Sequence, residues 1–301
     1  MVATQTQQER TRDAKIEISV IVPAYNEEQS ITGVLEGLKK TIATTKLTFE
    51  IIVVDDGSTD STAKVTRSIK GITLIQHPFN RGYGAALKTG IQRARGEYII
   101  ITDADGTYPN EEIPKLLNYI QQYDMVVGAR IGERVKMPIS RKIAKFFIVK
   151  LSNYLVKSKI PDLNSGLRIF KKDTAMKFFN ILPARFSFTT TITLAYLCND
   201  YLIKYVPINY NPRKGESKIR SSDTLNFTSL VIRTMTFFKP FRVFFPISLL
   251  LMFLALLVFF YTWIFMGKVM DITIIVLIIA SIQIGLFGLL ADLIVRRSEY
   301  K

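Results

Sequence analysis

Cysteine, histidine and tryptophan each occur once in 301 residues, as Cys198, His77 and Trp263. A single cysteine excludes an internal disulfide and a multi-cysteine zinc site, and it fits a catalytic part facing the cytosol. No nucleophile–histidine triad can be assembled around His77, which precedes Pro78 in a loop after an apolar stretch. The chain also has no Gly-x-x-x-x-Gly-Lys-Ser/Thr phosphate loop. Acidic residues are the scarcer charge: 25 Asp+Glu stand against 40 Lys+Arg, a formal charge of +15. Such an excess suits nucleic acid, anionic lipid headgroups or phosphorylated substrates. Met1–Ala14 lacks the apolar core of a signal peptide and reads as a disordered tail. The length allows one or two domains, with no internal repeat.

What is present is organised around Thr102–Pro109, Thr-Asp-Ala-Asp-Gly-Thr-Tyr-Pro. The apolar run Tyr98–Ile101 leads into it as a buried strand. Asp103 and Asp105 then fall where a strand gives way to a turn. Two carboxylates so spaced can share one hard divalent cation, Mg²⁺ or Mn²⁺, which takes further oxygens from substrate phosphates. Read as bare sequence, Asp-x-Asp-Gly also suits a plain polar turn. Further apolar runs at Ile16–Val22, Phe49–Val54, Ile72–Gln76 and Met125–Val127 alternate with helical patterns. Asn26 is the expected cap of the first helix, and a helix is expected from about Asn80 to Ala94. The alternation predicts an α/β fold with a largely parallel sheet covered by helices. Ligands of such sheets bind beyond the carboxyl ends of the strands. The polar clusters Tyr25–Glu27, Asp55–Asp60 and Asp103–Asp105 all lie there. Gly82-Tyr83-Gly84 lacks the third glycine of a dinucleotide-binding turn, so it reads as close helix–sheet packing.

Further on, Ser140–Lys157 is amphipathic, with Ile143, Phe147, Leu151 and Leu155 opposite Lys142, Lys145 and Lys150. Leu225–Lys239 has a similar pattern; both suit a membrane surface, and Ser140–Lys157 equally reads as a core helix with a solvated basic face. Val243–Met266 and Ile272–Val295 are apolar runs of about 24 residues, spanning about 36 Å as helices. That exceeds a hydrocarbon core of about 30 Å, so both are expected to cross it. Lys239, Arg242, Arg296, Arg297 and Lys301 flank them, which by the positive-inside rule makes the remainder cytoplasmic. Asp292, one turn from the end of the second run, is expected to snorkel or to meet the other helix.

Pro23-Ala24-Tyr25-Asn26-Glu27, Val54-Asp55-Asp56-Gly57-Ser58, Asn80-Arg81-Gly82 and Asp103-Ala104-Asp105, in that order, resemble a family-2 glycosyltransferase of GT-A fold. Gly128-Ala129-Arg130, Asn164-Ser165-Gly166-Leu167-Arg168, Arg213–Lys218 and the two terminal helices narrow this to similarity with polyprenyl-phosphate glycosyltransferases, such as the dolichol-phosphate mannose synthases and their bacterial glucosyl relatives. The resemblance implies a disordered tail over 1–14 and a GT-A domain over 15–222, with an interface helix at 140–158. A juxtamembrane helix at 223–240 and a transmembrane hairpin at 241–301 complete it. It implies that Pro23, Tyr25, Glu27, Val54 and Asp56 hold the nucleoside of a GDP- or UDP-hexose, with Ala104 beside its sugar diphosphate. Asp103 and Asp105 would serve Mg²⁺ or Mn²⁺. Arg130, Arg141, Ser165 and Arg168 would meet the acceptor phosphate, and Arg213 and Lys218 the donor phosphates. The mannose synthases carry a metal-ligating Gln where this chain has Thr107, so the threonine hydroxyl or a water would take that place. The Arg213–Lys218 spacing is one residue shorter than the family's. Partners implied are the nucleotide sugar, a polyprenyl-phosphate lipid, the membrane and a second copy of the chain, with no nucleic acid.

The chemistry agrees with this resemblance. A departing diphosphate needs its charge neutralised, which a metal and Lys/Arg supply. A lipid monophosphate has a second pKa of about 6 and is largely dianionic near neutrality, so it needs orienting arginines and no general base. One in-line displacement inverts the anomeric centre. A processive polysaccharide synthase would show Gln-x-x-Arg-Trp, whereas Trp263 lies in a membrane run. A non-catalytic nucleotide-sugar sensor would not need both carboxylates. Nucleic-acid binding leaves the apolar runs unexplained and lacks interleaved aromatic and basic residues.

Overall fold

Apolar runs buried on both faces become strands, and the helices between them bury one stripe each. The computed structural model describes residues 16–130, 160–184, 187–211, 232–267 and 271–299. These form two units, 16–211 and 232–299 in their described parts. The first carries a seven-stranded sheet: β1 Ile18–Ala24, β2 Phe49–Asp55, β3 Ile72–Gln76, β4 Tyr98–Ile101, β5 Met125–Arg130, β6 Arg168–Lys171 and β7 Ile203–Ile208, in the order β3-β2-β1-β4-β6-β5-β7. All neighbours run parallel except β6, which is antiparallel to both β4 and β5. Every residue of β1 is buried, as a central strand with both faces covered requires.

Among the described residues this unit has the α-helices α1 Ile31–Ala43, α2 Thr62–Ser68, α3 Tyr83–Arg93, α4 Ile113–Leu117, α5 Lys172–Lys177 and α6 Phe188–Cys198. In α1, Ile31, Val34, Leu35, Leu38 and Ile42 recur at helical spacing and form the buried stripe. They join β1, β2 and β4 residues in one core with Tyr108, Ile113 and Leu116. β7 is an edge strand, which is where Pro207 is tolerated.

In the second unit residues 232–238 are helical, α7 spans Phe241–Tyr261, Thr262–Met266 widens into a π turn, and α8 spans Asp271–Glu299. Gly267 ends the π turn at φ 62°, a left-handed position suited to glycine. Phe241–Met266 and Ile272–Val295 are long and apolar enough to cross a membrane, with mean hydropathies of 2.8 and 2.7. The two helices are joined by hydrogen bonds from Ser248 Oγ to Ser281 O (2.8 Å) and from Ser281 Oγ to Ser248 O (2.9 Å). Phe244 meets Phe287 edge-on and lies where a Cβ on Gly288 would be 2.7 Å from its own Cβ, so the glycine permits this closeness. The tail, the Ser140–Lys157 segment and residues 225–231 of Leu225–Lys239 fall outside the described residues.

Candidate active site

The loops after β1 and β2 are fastened to each other. After β1, Asn26 turns left-handed at φ 53°, a conformation asparagine tolerates. It therefore caps no helix; its N–H donates to Ser58 Oγ (2.9 Å) and its Oδ1 accepts from the Thr59 N–H (2.8 Å). The Glu27 N–H donates to Thr62 Oγ1 (2.8 Å), and Glu28 Oε2 accepts from the Ser61 N–H (2.8 Å). Asp60 takes the Thr62 N–H and hydroxyl on one oxygen. Its slight burial opposes the charge, but these bonds prevail and hold its carboxyl below the ordinary aspartate range. Pro23 and Val54 are buried in the strand ends, and Tyr25 and Glu27 remain half-buried at the rim.

Asp56 is buried and organises the loop after β3. Its Oδ1 accepts from the Arg81 N–H (3.0 Å) and faces His77 Nδ1 (2.7 Å), and its Oδ2 accepts from the Gly82 N–H (2.8 Å). The other ring nitrogen of His77 meets Thr89 Oγ1 at 2.9 Å on α3. The only histidine thus braces a carboxylate at the site. Gly57 is needed for the same closure, since at φ 73° a Cβ there would lie 2.5 Å from the Phe79 backbone.

The carboxylates Asp103 and Asp105 follow the end of β4, as expected. Asp103 Oδ1 accepts from the Tyr83 hydroxyl (3.0 Å), and the backbone of Gly166 lies so close that a Cβ there would be 2.7 Å from Asp103 Oδ2. Asp105 is 7% exposed, and its Oδ1 accepts both the N–H (3.1 Å) and the hydroxyl (2.6 Å) of Thr107. Thr107 is fully buried with its hydroxyl proton given to Asp105, so it braces that carboxylate. Ala104, between them, is buried. Tyr108, buried, accepts the Gly166 N–H on its hydroxyl (2.6 Å). Burial and the nearby Asp103 charge push the Tyr108 hydroxyl well above the ordinary tyrosine range, so it stays neutral. Among the described residues no three His, Cys, Asp or Glu side chains converge as a metal cage. Two hard carboxylates fit Mg²⁺ or Mn²⁺ when the substrate and waters supply the remaining oxygens.

Arg130, at the end of β5, is the candidate cation on the acceptor side. Its Nε and Nη2 donate to the two oxygens of Asp162 (2.7 and 2.8 Å), and its N–H donates to the same carboxylate (3.1 Å). Burial opposes both charges, but the shared bonds prevail: Arg130 is raised and Asp162 lies below the ordinary aspartate range. The guanidinium also lies 5.3 Å from the Tyr210 ring centre. Ser165 is buried and its hydroxyl donates to Gly128 O (2.5 Å). Arg168 is fully buried, with Nε (3.1 Å) and Nη2 (2.5 Å) on Ser165 O and Nη1 on Thr189 O (3.0 Å) and Thr193 Oγ1 (2.9 Å). Both side chains are thus buried and hydrogen-bonded within the fold, Ser165 to β5 and Arg168 to this loop and to α6. Arg141, Arg213 and Lys218 lie outside the described residues. Sequence reasoning missed Asp162, Tyr83 and Tyr108; only Asp162 carried a signal, as an acidic residue just before Asn164-Ser165-Gly166.

Glycosyl transferase family 2 matches residues 19–179, more than half of the chain and the whole of this arrangement up to α5. The chain belongs to that family. Residues 239–296 of this family 2 transferase match the GtrB C-terminal hairpin. The low-salt glycan biosynthesis hexosyltransferase Agl6 of Haloferax volcanii is 31% identical over 210 residues, covering 68% of this chain. The alignment takes in only 50% of that relative's length. A dolichyl-phosphate beta-glucosyltransferase of Dictyostelium discoideum is 29% identical over 242 residues, 72% of this chain and 73% of its own. Among solved structures, glucosyl-3-phosphoglycerate synthase from Mycobacterium tuberculosis, in complex with Mn²⁺, UDP and glucosyl-3-phosphoglycerate, superposes with a TM-score of 0.55 at 20% identity. That match covers 73% of this chain and 78% of the other, and it shows the GT-A-like fold.

Proposed function

We propose that this family 2 transferase moves one hexose from a GDP- or UDP-sugar to a polyprenyl monophosphate, with inversion, from the cytoplasmic side of a membrane. The observation that carries the reading is the closeness of two differently charged sites. Asp103 abuts Gly166, and four residues earlier in the same segment Asp162 holds Arg130. The hairpin match and the name of the Dictyostelium relative support a lipid phosphate as acceptor.

The roles of this chain's residues follow. Tyr25, Glu27 and Asp56 line the nucleoside end, where the interlocked loops keep the pocket in shape. Asp103 and Asp105 would hold Mg²⁺ or Mn²⁺ beside the donor diphosphate, with Thr107 fixing the second carboxylate. The ion, when bound, neutralises charge on the departing diphosphate. Arg130, kept charged and aimed by Asp162, orients the acceptor phosphate for in-line attack. By the family resemblance alone, Arg141 is assigned to the same phosphate, and Arg213 and Lys218 to the donor phosphates. The attacking oxygen is already anionic, so no proton has to be removed from it.

The test is incubation of membranes carrying the protein with polyprenyl phosphate and labelled GDP- and UDP-sugars. The expected product is a lipid with one added sugar, labile to mild acid, whose formation stops in excess EDTA and with Asp105→Ala. A growing ladder of sugars, full activity in EDTA, or equal use of polyprenol without the phosphate would overturn the reading.

A further inference from the structure

Gly82-Tyr83-Gly84, which as sequence reads only as close packing, joins the two halves of the donor site. The Arg81 and Gly82 N–H groups donate to Asp56, and the next side chain, Tyr83, donates its hydroxyl to Asp103 Oδ1 at 3.0 Å. Gly82 makes this junction at φ 104°, ψ 155°, a backbone conformation that suits glycine and strains other residues. Tyr83 is the first residue of α3, and that end of the helix is tied again by the Ala85 N–H on Ala184 O (2.7 Å). On the far side of Asp103, Gly166 is fixed by its N–H on Tyr108. It lies so close to the carboxylate that a Cβ there would be 2.7 and 2.9 Å from the two oxygens. A carboxylate turns easily about its last torsion, so contacts such as these restrict where its lone pairs point.

We propose that Tyr83 is a positioning residue for the metal carboxylate Asp103, clasping it against Gly166, and that the Arg81–Tyr83 turn sets the spacing between the nucleoside carboxylate Asp56 and the metal site. The inference rests on the metal-assisted reading of Asp103 and Asp105. It gives Tyr83 no contact with the sugar and none with the acceptor.

The experiment uses the full chain in detergent, with Mn²⁺ binding followed by electron paramagnetic resonance in the presence of UDP or GDP, and nucleotide binding measured separately in EDTA. Tyr83→Phe keeps the ring and removes the hydroxyl. Its Mn²⁺ affinity should fall about tenfold, the scale of one hydrogen bond to a charged group, while nucleotide affinity in EDTA stays within about twofold. Gly166→Ala should give the same split with Tyr83 intact, and it decides the matter if the Tyr83 variant does not fold. A merely structural role would lower nucleotide binding in EDTA along with Mn²⁺ binding, and that result overturns the proposal. So does wild-type Mn²⁺ affinity in both variants, which would leave the metal reading standing. A wild-type protein that binds nucleotide but no Mn²⁺ would remove the metal reading and this inference together.

Discussion

Replacing Arg168 with methionine separates a bracing role from contact with the acceptor phosphate. The side chain is fully buried, and Nε and Nη2 both donate to Ser165 O while Nη1 bridges Thr189 O and Thr193 Oγ1. Methionine fills much of the same volume and donates nothing. The Thr189 carbonyl would keep the Thr193 hydroxyl as a donor (2.8 Å). The Ser165 carbonyl would lose both arginine donors, and a buried acceptor left unpaired costs about 1–3 kcal/mol. Against the further charge-assisted bonds stands the cost of keeping a guanidinium out of water, which here lowers the pKa of Arg168 and is recovered on substitution. The net loss should be about 2 kcal/mol, a fall in Tm of about 4–8 °C for a domain of this size. Because Ser165 precedes the glycine that presses on Asp103, turnover should also drop, with the acceptor KM unchanged. The assay is thermal unfolding of the detergent-solubilised protein beside transfer kinetics at varied lipid phosphate. Unchanged Tm with an acceptor KM raised tenfold would refute the reasoning and return Arg168 to the phosphate.

Two further outcomes follow from the acceptor side and from the membrane. Asp162→Asn should lower Tm, by about 2 kcal/mol in stability, by breaking the paired bonds to Arg130. The folded pKa of Asp162 is depressed, so its contribution is complete above the unfolded value of about 3.9 and is lost as pH falls through the folded one. The Tm gap to wild type should therefore be constant from pH 8 to pH 5 and narrow only below about pH 4; a gap that widens there would contradict the pairing. For topology, Cys198 is buried and makes a poor reporter. In a Cys198→Ala background, Met266→Cys (58% exposed) should react with an impermeant reagent outside intact cells, and Phe79→Cys (65% exposed) only after permeabilisation. The opposite pattern would reverse the orientation.

Much of the sheet was legible because β1, β2 and β4 are largely buried and so read as mostly apolar runs. The strands that escaped notice lacked that signal. β6 is four residues, Arg168-Ile169-Phe170-Lys171, with a charge at each end. β7 carries Lys204 and Pro207, tolerable only because it lies at the sheet edge. The threonine run in α6 suggests a strand by propensity. It is helical because the Thr191 and Thr193 hydroxyls donate to carbonyls four residues back and packing buries nearly every side chain. Asn26 looked like a helix cap because its side chain does accept an N–H; the donor, Thr59, comes from another loop and no local pattern reveals it. The acidic pair was legible as chemistry, but its supports were not, since Tyr83 and Gly166 reach Asp103 from 20 residues before it and 63 residues after it.

The hidden strand is also what brings the two halves of the site together. In a parallel sheet each strand delivers only its carboxyl end to the ligand edge, and a parallel β6 would have carried Asn164-Ser165-Gly166 to the opposite side. β6 runs the other way, with Arg168 paired to Ile101 of β4 and to Val127 of β5. Its amino end therefore starts at the edge where β4 and β5 finish, and the residues just before it, 162–167, arrive between the turn that holds Asp103 and the end of β5 that holds Arg130. The Gly128 carbonyl accepts the Ser165 hydroxyl and the Gly128 N–H donates to Leu167 O (2.9 Å), so this segment continues the sheet bonding as it crosses. With Gly166 against Asp103 and Asp162 on Arg130, one short stretch of backbone ties the position of Asp103 to that of Arg130. The proposed in-line transfer would need that relation held closely, and a sheet with one reversed strand can supply it through this short segment.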